Sequence, residues 1–456
     1  MLSSQSRSSL LGAFAVLLLI GCASPYGINA PLTKWDPSAE QVLPHSSHAS
    51  ADEMLLVVAF SGGGTRAAAF AYGVLKELNR MEIDIDGTTH RLINEVDIAS
   101  GVSGGSFTAA YFGLHGQDIF DEYEERFLRR NVQRGILLQL LRPYNWGRLF
   151  RTDFDRSELA AEYYDRYIFD GATFGDLTHG KGPAVVINAT DLSKGIRFAF
   201  TQAMFDFICS DLSTFPISRA VAASSAVPVL LTPVALKNYA GSCGFEAPDW
   251  MQQALSGDDS VRMQAEARRL GSYLDADRRR YIHLVDGGIT DNLGIRGLVS
   301  NVVAGDDVAA TIRKLVPRRL RRVVVILVNA ETDPDTGWDL SQVAPSLADI
   351  VNAVTGTQIR RFNLETIDLV RTSFKEVVRK LSTPQHPVSF HLVEVSFDAI
   401  QDDKERRWFN RLPTSFALSD EQVDKLIEAG GRLLRESKEY QALLAESHHW
   451  KRLDTE

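Results

Sequence analysis

The stretch Met54-Leu55-Leu56-Val57-Val58-Ala59-Phe60-Ser61-Gly62-Gly63-Gly64-Thr65-Arg66 decides the fold. Seven consecutive apolar residues without alternation read as a strand buried on both faces. Three glycines then break the run. From Arg66 to Asn79 the apolar residues Ala67, Ala68, Ala69, Phe70, Val74, Leu75 and Leu78 resume as a helix. The pattern repeats downstream. A short strand at Val96–Ala99 ends at Ser100-Gly101-Val102-Ser103-Gly104-Gly105, and a helix follows through Ala109, Ala110, Tyr111 and Phe112. Strand, glycine turn and helix, twice in succession, begin a parallel α/β sheet. Further strands are expected at 184–189, 197–201, 281–285, 323–328 and 388–395. Helices are expected at 118–141, 157–167, 217–223, 261–274 and 420–434. The fold class is therefore α/β: a mostly parallel central sheet flanked by helices, with helical insertions at 117–182 and 241–280.

Composition agrees with one large globular body. The 456 residues are 45% hydrophobic and 23% charged, which excludes disordered and fibrous classes. A net charge of −9 argues against a nucleic-acid partner. Three cysteines are too few for a disulfide scaffold or a cysteine-rich zinc site. No H-E-x-x-H or calcium-loop pattern occurs, so no metal is expected.

The N-terminus reads as targeting sequence. Arg7 precedes an eleven-residue apolar run, Leu10–Ile20, which is signal-peptide length. Leu19-Ile20-Gly21-Cys22 resembles the lipobox of bacterial lipoproteins. That resemblance implies cleavage before Cys22, its acylation, and, with Ala23 next, an outer-membrane location facing the periplasm. Residues 1–21 are then a signal peptide. Residues 22–52, rich in Pro, Ser, Ala and His, read as a flexible tether reaching ~30 Å. No later run approaches transmembrane length, so lipid alone would anchor the chain.

Three motifs carry chemistry. Gly101-Val102-Ser103-Gly104-Gly105 is a G-x-S-x-G between strand and helix. That turn lifts a serine hydroxyl out of a sheet, and Gly101 and Gly105 leave room beside it. Ser61-Gly62-Gly63-Gly64 offers unhindered N–H groups of Gly62, Gly63 and Gly64 at a helix start, suited to an oxyanion. The same residues, as Gly62-x-Gly64-x-x-Ala67 with Asp84 beyond, also fit the dinucleotide fingerprint of an oxidoreductase. Export from the cytosol weighs against that second reading. Asp286-Gly287-Gly288 places an acid at a strand end with room for close approach, as a base beside a nucleophile requires. A plain turn aspartate satisfies the same pattern.

Taken together, these motifs resemble the patatin-like phospholipases: a glycine-rich oxyanion loop, a G-x-S-x-G serine and a D-G-G aspartate, in that order. Ala189-Thr190-Asp191-Leu192 with Gly195, and Ala223-Ser224-Ser225-Ala226-Val227-Pro228, resemble two further blocks of the family. The departures are Ser61 for a common acidic residue, Ala67 for a glycine and Gly294 for a frequent proline. The resemblance implies a patatin-like catalytic domain over 53–330, with 331–456 a C-terminal extension of the same body. It implies a lipid acyl hydrolase with no cofactor, acting on membrane lipid or another fatty-acyl ester. Ser103 would be the nucleophile, Asp286 the base, Gly62, Gly63 and Gly64 the oxyanion loop, and Gly101, Gly105, Gly287 and Gly288 its supports. Arg66 would fix the loop or a phosphate. A catalytically idle lipid- or partner-binding protein is the alternative. A Ser–Asp–His triad would need His386 or His391.

Two features lie outside the motifs. Cys209 and Cys243 are expected to pair in an oxidising compartment, with two buried thiols as the alternative. Ile136–Leu141, with Trp146 and Phe150 among Arg134, Arg142, Arg148 and Arg151, reads as a core-facing helix or a lipid-facing surface.

Overall fold

A computed structural model describes residues 29–37, 54–85, 88–149, 154–228, 230–257, 260–298, 320–333, 337–340, 342–446 and 450–452. Cys22, Phe150, Arg151 and the signal segment lie outside these. Among the described residues eight strands form the central sheet: β1 Met54–Phe60, β2 Val96–Val102, β3 Ala184–Asp191, β4 Ile196–Phe200, β5 Val234–Lys237, β6 Tyr281–Asp286, β7 Arg322–Asn329 and β8 Ser389–Ser396. Strands β8, β7, β1, β2 and β3 lie side by side and parallel.

The departure from parallel pairing builds the site. Strands β4 and β6 both run antiparallel to β3. Residues 189–191 of β3 pair with both, so those two strands occupy opposite edges. Residues 187 and 188 pair with both β2 and β4. Strands β2 and β6 therefore share one edge of β3 and meet there end to end.

Among the helices that cover the sheet are α1 Gly64–Asn79, α2 Gly104–His115, α3 Ile217–Ser224, α4 Leu347–Leu381 and α5 Asp420–Glu436. Strand β1 is buried throughout, as its unbroken apolar run demands. Leu56, Val58 and Phe60 join the larger core, which holds residues of α1, α2, α3 and α5. Leu55, Val57 and Ala59 join the opposite core, completed by Ile367, Val370 and Phe374 of α4. Helices α1 and α5 touch backbone to backbone. A Cβ on Gly73 would fall 2.1 Å from the Ile427 carbonyl oxygen.

Three expectations need correction. The tether over 22–52 is not free along its length: residues 29–37 dock on the body. Ala30–Pro31 pairs antiparallel with Ser210–Asp211, and the Asn29 amide donates to Ser210 Oγ and the Lys237 carbonyl, both at 2.9 Å. The expected helix 118–141 is broken at Arg129–Asn131, where Asn131 caps a new helix by accepting the Arg134 N–H at 2.8 Å. Asp84 lies in Met81–Ile85, a strand of a separate small sheet with Thr88–Arg91 and Trp450–Arg452. A dinucleotide-binding acid would close the second strand of the main sheet, so the oxidoreductase reading loses its ribose contact.

Candidate active site

Strand β2 ends at Val102 and α2 starts at Gly104, so Ser103 takes the whole turn. Its φ of 50° and ψ of −120° lie where non-glycine residues are strained. The flanking glycines are sterically forced. A Cβ on Gly101 would lie 2.6 Å from the Gly105 carbonyl oxygen, and one on Gly105 would lie 2.5 Å from that of Phe60.

Asp286 ends β6 on the same edge of β3. Ser103 Oγ donates to Asp286 Oδ2 at 2.7 Å, and the Gly288 N–H donates to Asp286 Oδ1 at 2.8 Å. Loss of water around the carboxyl pushes its pKa up to about 6, against the pull of those two donors. A carboxyl near that value is a far better base than an exposed aspartate. Gly287 packs where a Cβ would sit 2.3 Å from the Asn188 carbonyl oxygen, and Gly288 lies under the Asn292 side chain.

The Ala223–Pro228 block clamps these two strand ends together. Ser224 Oγ accepts the Ser103 N–H at 2.8 Å and donates to the Asn188 carbonyl at 2.6 Å. The Ser224 carbonyl accepts the Gly287 N–H, and the Ala226 carbonyl accepts the Asp286 N–H. Sequence reasoning quoted Ser224 without a role. It also passed over Asn188, whose amide donates to Ser100 Oγ at 2.9 Å and the Gly101 carbonyl at 3.1 Å. The Ala189–Leu192 block is an anchor: the Asp191 carboxylate receives the Tyr273 hydroxyl at 2.9 Å and the Arg279 guanidinium, pinning the insertion 241–280 to β3.

The glycine loop lies beside the serine. Gly63 and Gly64 hold φ of 140° and 60°, and a Cβ on Gly62 would stand 3.4 Å from Ser103 Cβ. The three N–H groups are not equivalent. Gly62 donates to the Asn292 carbonyl at 3.1 Å, so its N–H is already committed and the expected third oxyanion donor is lost. The buried Arg66 donates to the carbonyls of Ala330 (3.0 Å) and Leu412 (2.7 Å) and to Thr414 Oγ1 (3.1 Å). Burial lowers its pKa to about 10. It fixes the loop, with each of its three nitrogens donating to a protein atom.

The family pattern for patatin-like phospholipases matches residues 58–299. The chain belongs to that family. Among solved structures, human GIVD cytosolic phospholipase A2 matches with 12% identity and a TM-score of 0.43, over 86% of this chain and 59% of that one. VipD from Legionella pneumophila matches with 13% identity and a TM-score of 0.33, over 96% of this chain and 74% of that one. The patatin-like chain thus spans less than two thirds of the human enzyme's length. No curated protein sequence matches it.

Among the described residues no histidine bonds Asp286, whose carboxylate accepts from Ser103 and Gly288. His391 lies in β8, three strands from β2 or about 14 Å, and its Nε2 faces Glu446 at 3.1 Å. His386 lies in the turn before β8. Neither completes a triad. Among the described residues no group of three His, Cys, Asp or Glu side chains is placed to hold a metal ion, and no helix is long and apolar enough to cross a membrane. Cys209 and Cys243 are joined, with Cα atoms 5.5 Å apart.

Proposed function

We propose that the protein is a lipid acyl hydrolase working through a Ser103–Asp286 dyad. The observation that carries this is the 2.7 Å hydrogen bond from Ser103 Oγ to a carboxylate that burial has made basic. Asp286 Oδ2 takes the hydroxyl proton as Ser103 Oγ bonds to the ester carbonyl carbon. The carbonyl oxygen, now negative, is held by the N–H groups of Gly63 and Gly64. The Gly104 N–H, at the start of α2, is a third donor in place of Gly62. Asp286 returns the proton to the departing alcohol oxygen, leaving an acyl-serine. Water then gives a proton to Asp286, its oxygen bonds to the acyl carbon, and the fatty acid leaves as Ser103 Oγ recovers the proton.

This reading makes 53–330 the catalytic domain. Residues 331–456 complete it by supplying β8, α4 and α5. We place the chain in the bacterial envelope, anchored through an acylated Cys22. Six residues separate Cys22 from the docked Asn29, at most about 25 Å of chain, so the body would lie close to its membrane. The test is fatty-acid release from phospholipid labelled at each acyl position, comparing wild type with Ser103→Ala and Asp286→Asn. Release lost in both variants, with folding intact, supports the dyad. Release that survives Ser103→Ala overturns it.

A further inference from the structure

We propose that the helical hairpin 132–149 is a docking surface for an anionic lipid bilayer, set beside the glycine loop. Its first helix is Val132–Leu140 and its second Pro143–Leu149. The apolar stripe expected to face the core or a lipid divides: Ile136 packs against the larger core, and the rest turns outward. Leu137, Leu138, Leu141, Tyr144 and Trp146 are 54, 50, 60, 77 and 53% exposed.

The hairpin is a formed platform. Asn145 donates its amide to the Gln139 carbonyl at 2.8 Å, and the Trp146 indole N–H donates to the Leu140 carbonyl at 3.0 Å. The second bond satisfies the one polar atom of the indole and leaves its ring to apolar contact. A rigid cluster of leucines with Tyr and Trp, flanked by arginines, suits the boundary between headgroups and acyl chains.

Charge selects the occupant. From Arg126 to Thr152 the sequence holds seven arginines and no acidic residue, in a chain of net −9. Arg134 and Arg142 are exposed and form no ion pair among the described residues, whereas Arg126, Arg129 and Arg148 are held by neighbouring acids. A second copy docking here would bring two arginine-rich faces together, which like charge disfavours. An anionic headgroup layer complements them.

The position is functional. The N–H groups of Val132 and Gln133 donate to the Phe416 carbonyl at 3.1 and 3.4 Å, and the Thr65 N–H donates to the Ser415 carbonyl at 2.9 Å. Hairpin and glycine loop thus hang from adjacent residues of one segment. The exposed leucines lie about 8–14 Å along the helix from Val132. The Phe416 ring meets Phe107 of α2, the helix that follows Ser103, at 5.5 Å.

The inference rests on the lipid-hydrolase reading for the nature of the surface, but its test does not depend on turnover. A solvent-sensitive fluorophore is placed on Leu138→Cys or Leu141→Cys of the full chain in a Cys22→Ser background, with Val261→Cys as the remote exposed control. The probes are vesicles of equimolar phosphatidylglycerol and phosphatidylcholine, and of phosphatidylcholine alone. Labels at 138 and 141 should shift to the blue on the anionic vesicles and the label at 261 should not. Arg134→Glu with Arg142→Glu should weaken the vesicle affinity about tenfold or more. Labels that stay in water on anionic vesicles overturn the proposal, as does an equal shift on neutral vesicles. A shift without vesicles that grows with protein concentration assigns the face to a second copy and also overturns it. Ser103→Ala should shift like the parent. A shift in a wild type that releases no fatty acid defeats the hydrolase reading and leaves the docking in place.

Discussion

Val102 and Asp286 stand opposite neighbouring residues of β3, Asn188 and Ala189, on the same edge of that strand. Strand β2 climbs parallel to β3 and β6 descends antiparallel, so the residue after one and the last residue of the other face each other. Ser103 and Asp286, 183 positions apart, are brought to 2.7 Å by this head-to-head arrangement. Asp286 closes its strand, and Ser103 is the single residue between a strand and a helix, which holds a nucleophile and base to the tolerance their chemistry requires.

The Asp286 carboxyl gives opposite signs for activity and stability. As a base it must be ionised, so kcat/KM should rise with pH to half its plateau at about 6 and stay flat above. The folded value lies above the ordinary value of 3.8, so the folded state binds the proton more tightly. Stability should therefore fall as pH rises from about 4 to about 6 and level off beyond. Asp286→Asn removes the charge and should raise stability at pH 8 by about 1–3 kcal/mol while abolishing release. Thermal unfolding of both proteins at pH 5 and pH 8 checks it; an Asn variant less stable than wild type at pH 8 refutes it.

Ser224 supports the nucleophile through the backbone. Its Oγ is an acceptor for Ser103 N–H and a donor to the Asn188 carbonyl. Ser224→Ala leaves a buried N–H and a buried carbonyl each without this partner, at a cost of about 1–3 kcal/mol. The strained turn at Ser103 then loses a restraint, so kcat should fall by about tenfold or more with KM little changed. Urea unfolding and steady-state kinetics on a soluble ester separate the two effects. A variant that loses stability alone would make Ser224 a packing residue.

Gly62 and Gly64 are constrained by different neighbours. A Cβ at 62 meets Asn292 Oδ1 at 2.6 Å and reaches toward Ser103. A Cβ at 64 meets the Ser415 carbonyl oxygen at 2.4 Å at a φ of 60°. Gly64→Ala should therefore cost stability, about 1–3 kcal/mol from strain and clash. Gly62→Ala displaces a side-chain tip instead and should cost mainly turnover, about a hundredfold, by crowding and misplacing the acyl carbon at Ser103. Calorimetry beside ester hydrolysis distinguishes them, and equal losses in both measurements would contradict the division.

The parallel half of the sheet was readable because its strands are unbroken apolar runs closed by glycines, as Met54–Phe60 shows. Strand β5, Val234–Lys237, is four residues long and carries no such run, so it escaped notice. The antiparallel turn of β6 was equally hidden, since pairing direction leaves no mark on composition. Helix α4 spans 35 residues and was missed although Ser346 and Asp349 form a capping box at its start. Its exposed face dilutes the apolar period. In the site, residue types announced Ser103 and Asp286. The commitment of the Gly62 N–H to Asn292 and the clamp through Ser224 are backbone relations between distant segments, and only the fold brings them together.

The disulfide holds the N-terminal segment as well as its own loop. The Leu32 N–H donates to the Cys209 carbonyl at 2.7 Å and the Trp35 N–H to the Cys243 carbonyl at 2.9 Å. Trp35 packs edge-on against Phe245 at 5.1 Å, and Phe245 against Phe207 at 5.0 Å. The two half-cystines are 34 residues apart, so the cross-link is worth about 3–4 kcal/mol on chain entropy. Cys209→Ser with Cys243→Ser should lower stability by that order and loosen both carbonyl acceptors together. Residues 29–37 should then detach before the sheet unfolds, because they bury little apolar surface of their own. Trypsin cleavage after the exposed Lys34 reads this directly. It should be slow in the oxidised protein and at least about tenfold faster in the double variant or after reduction, while fatty-acid release in detergent solution stays near wild type. Unchanged cleavage after reduction would mean that the segment is held by Asn29 and the Ala30–Pro31 pairing alone.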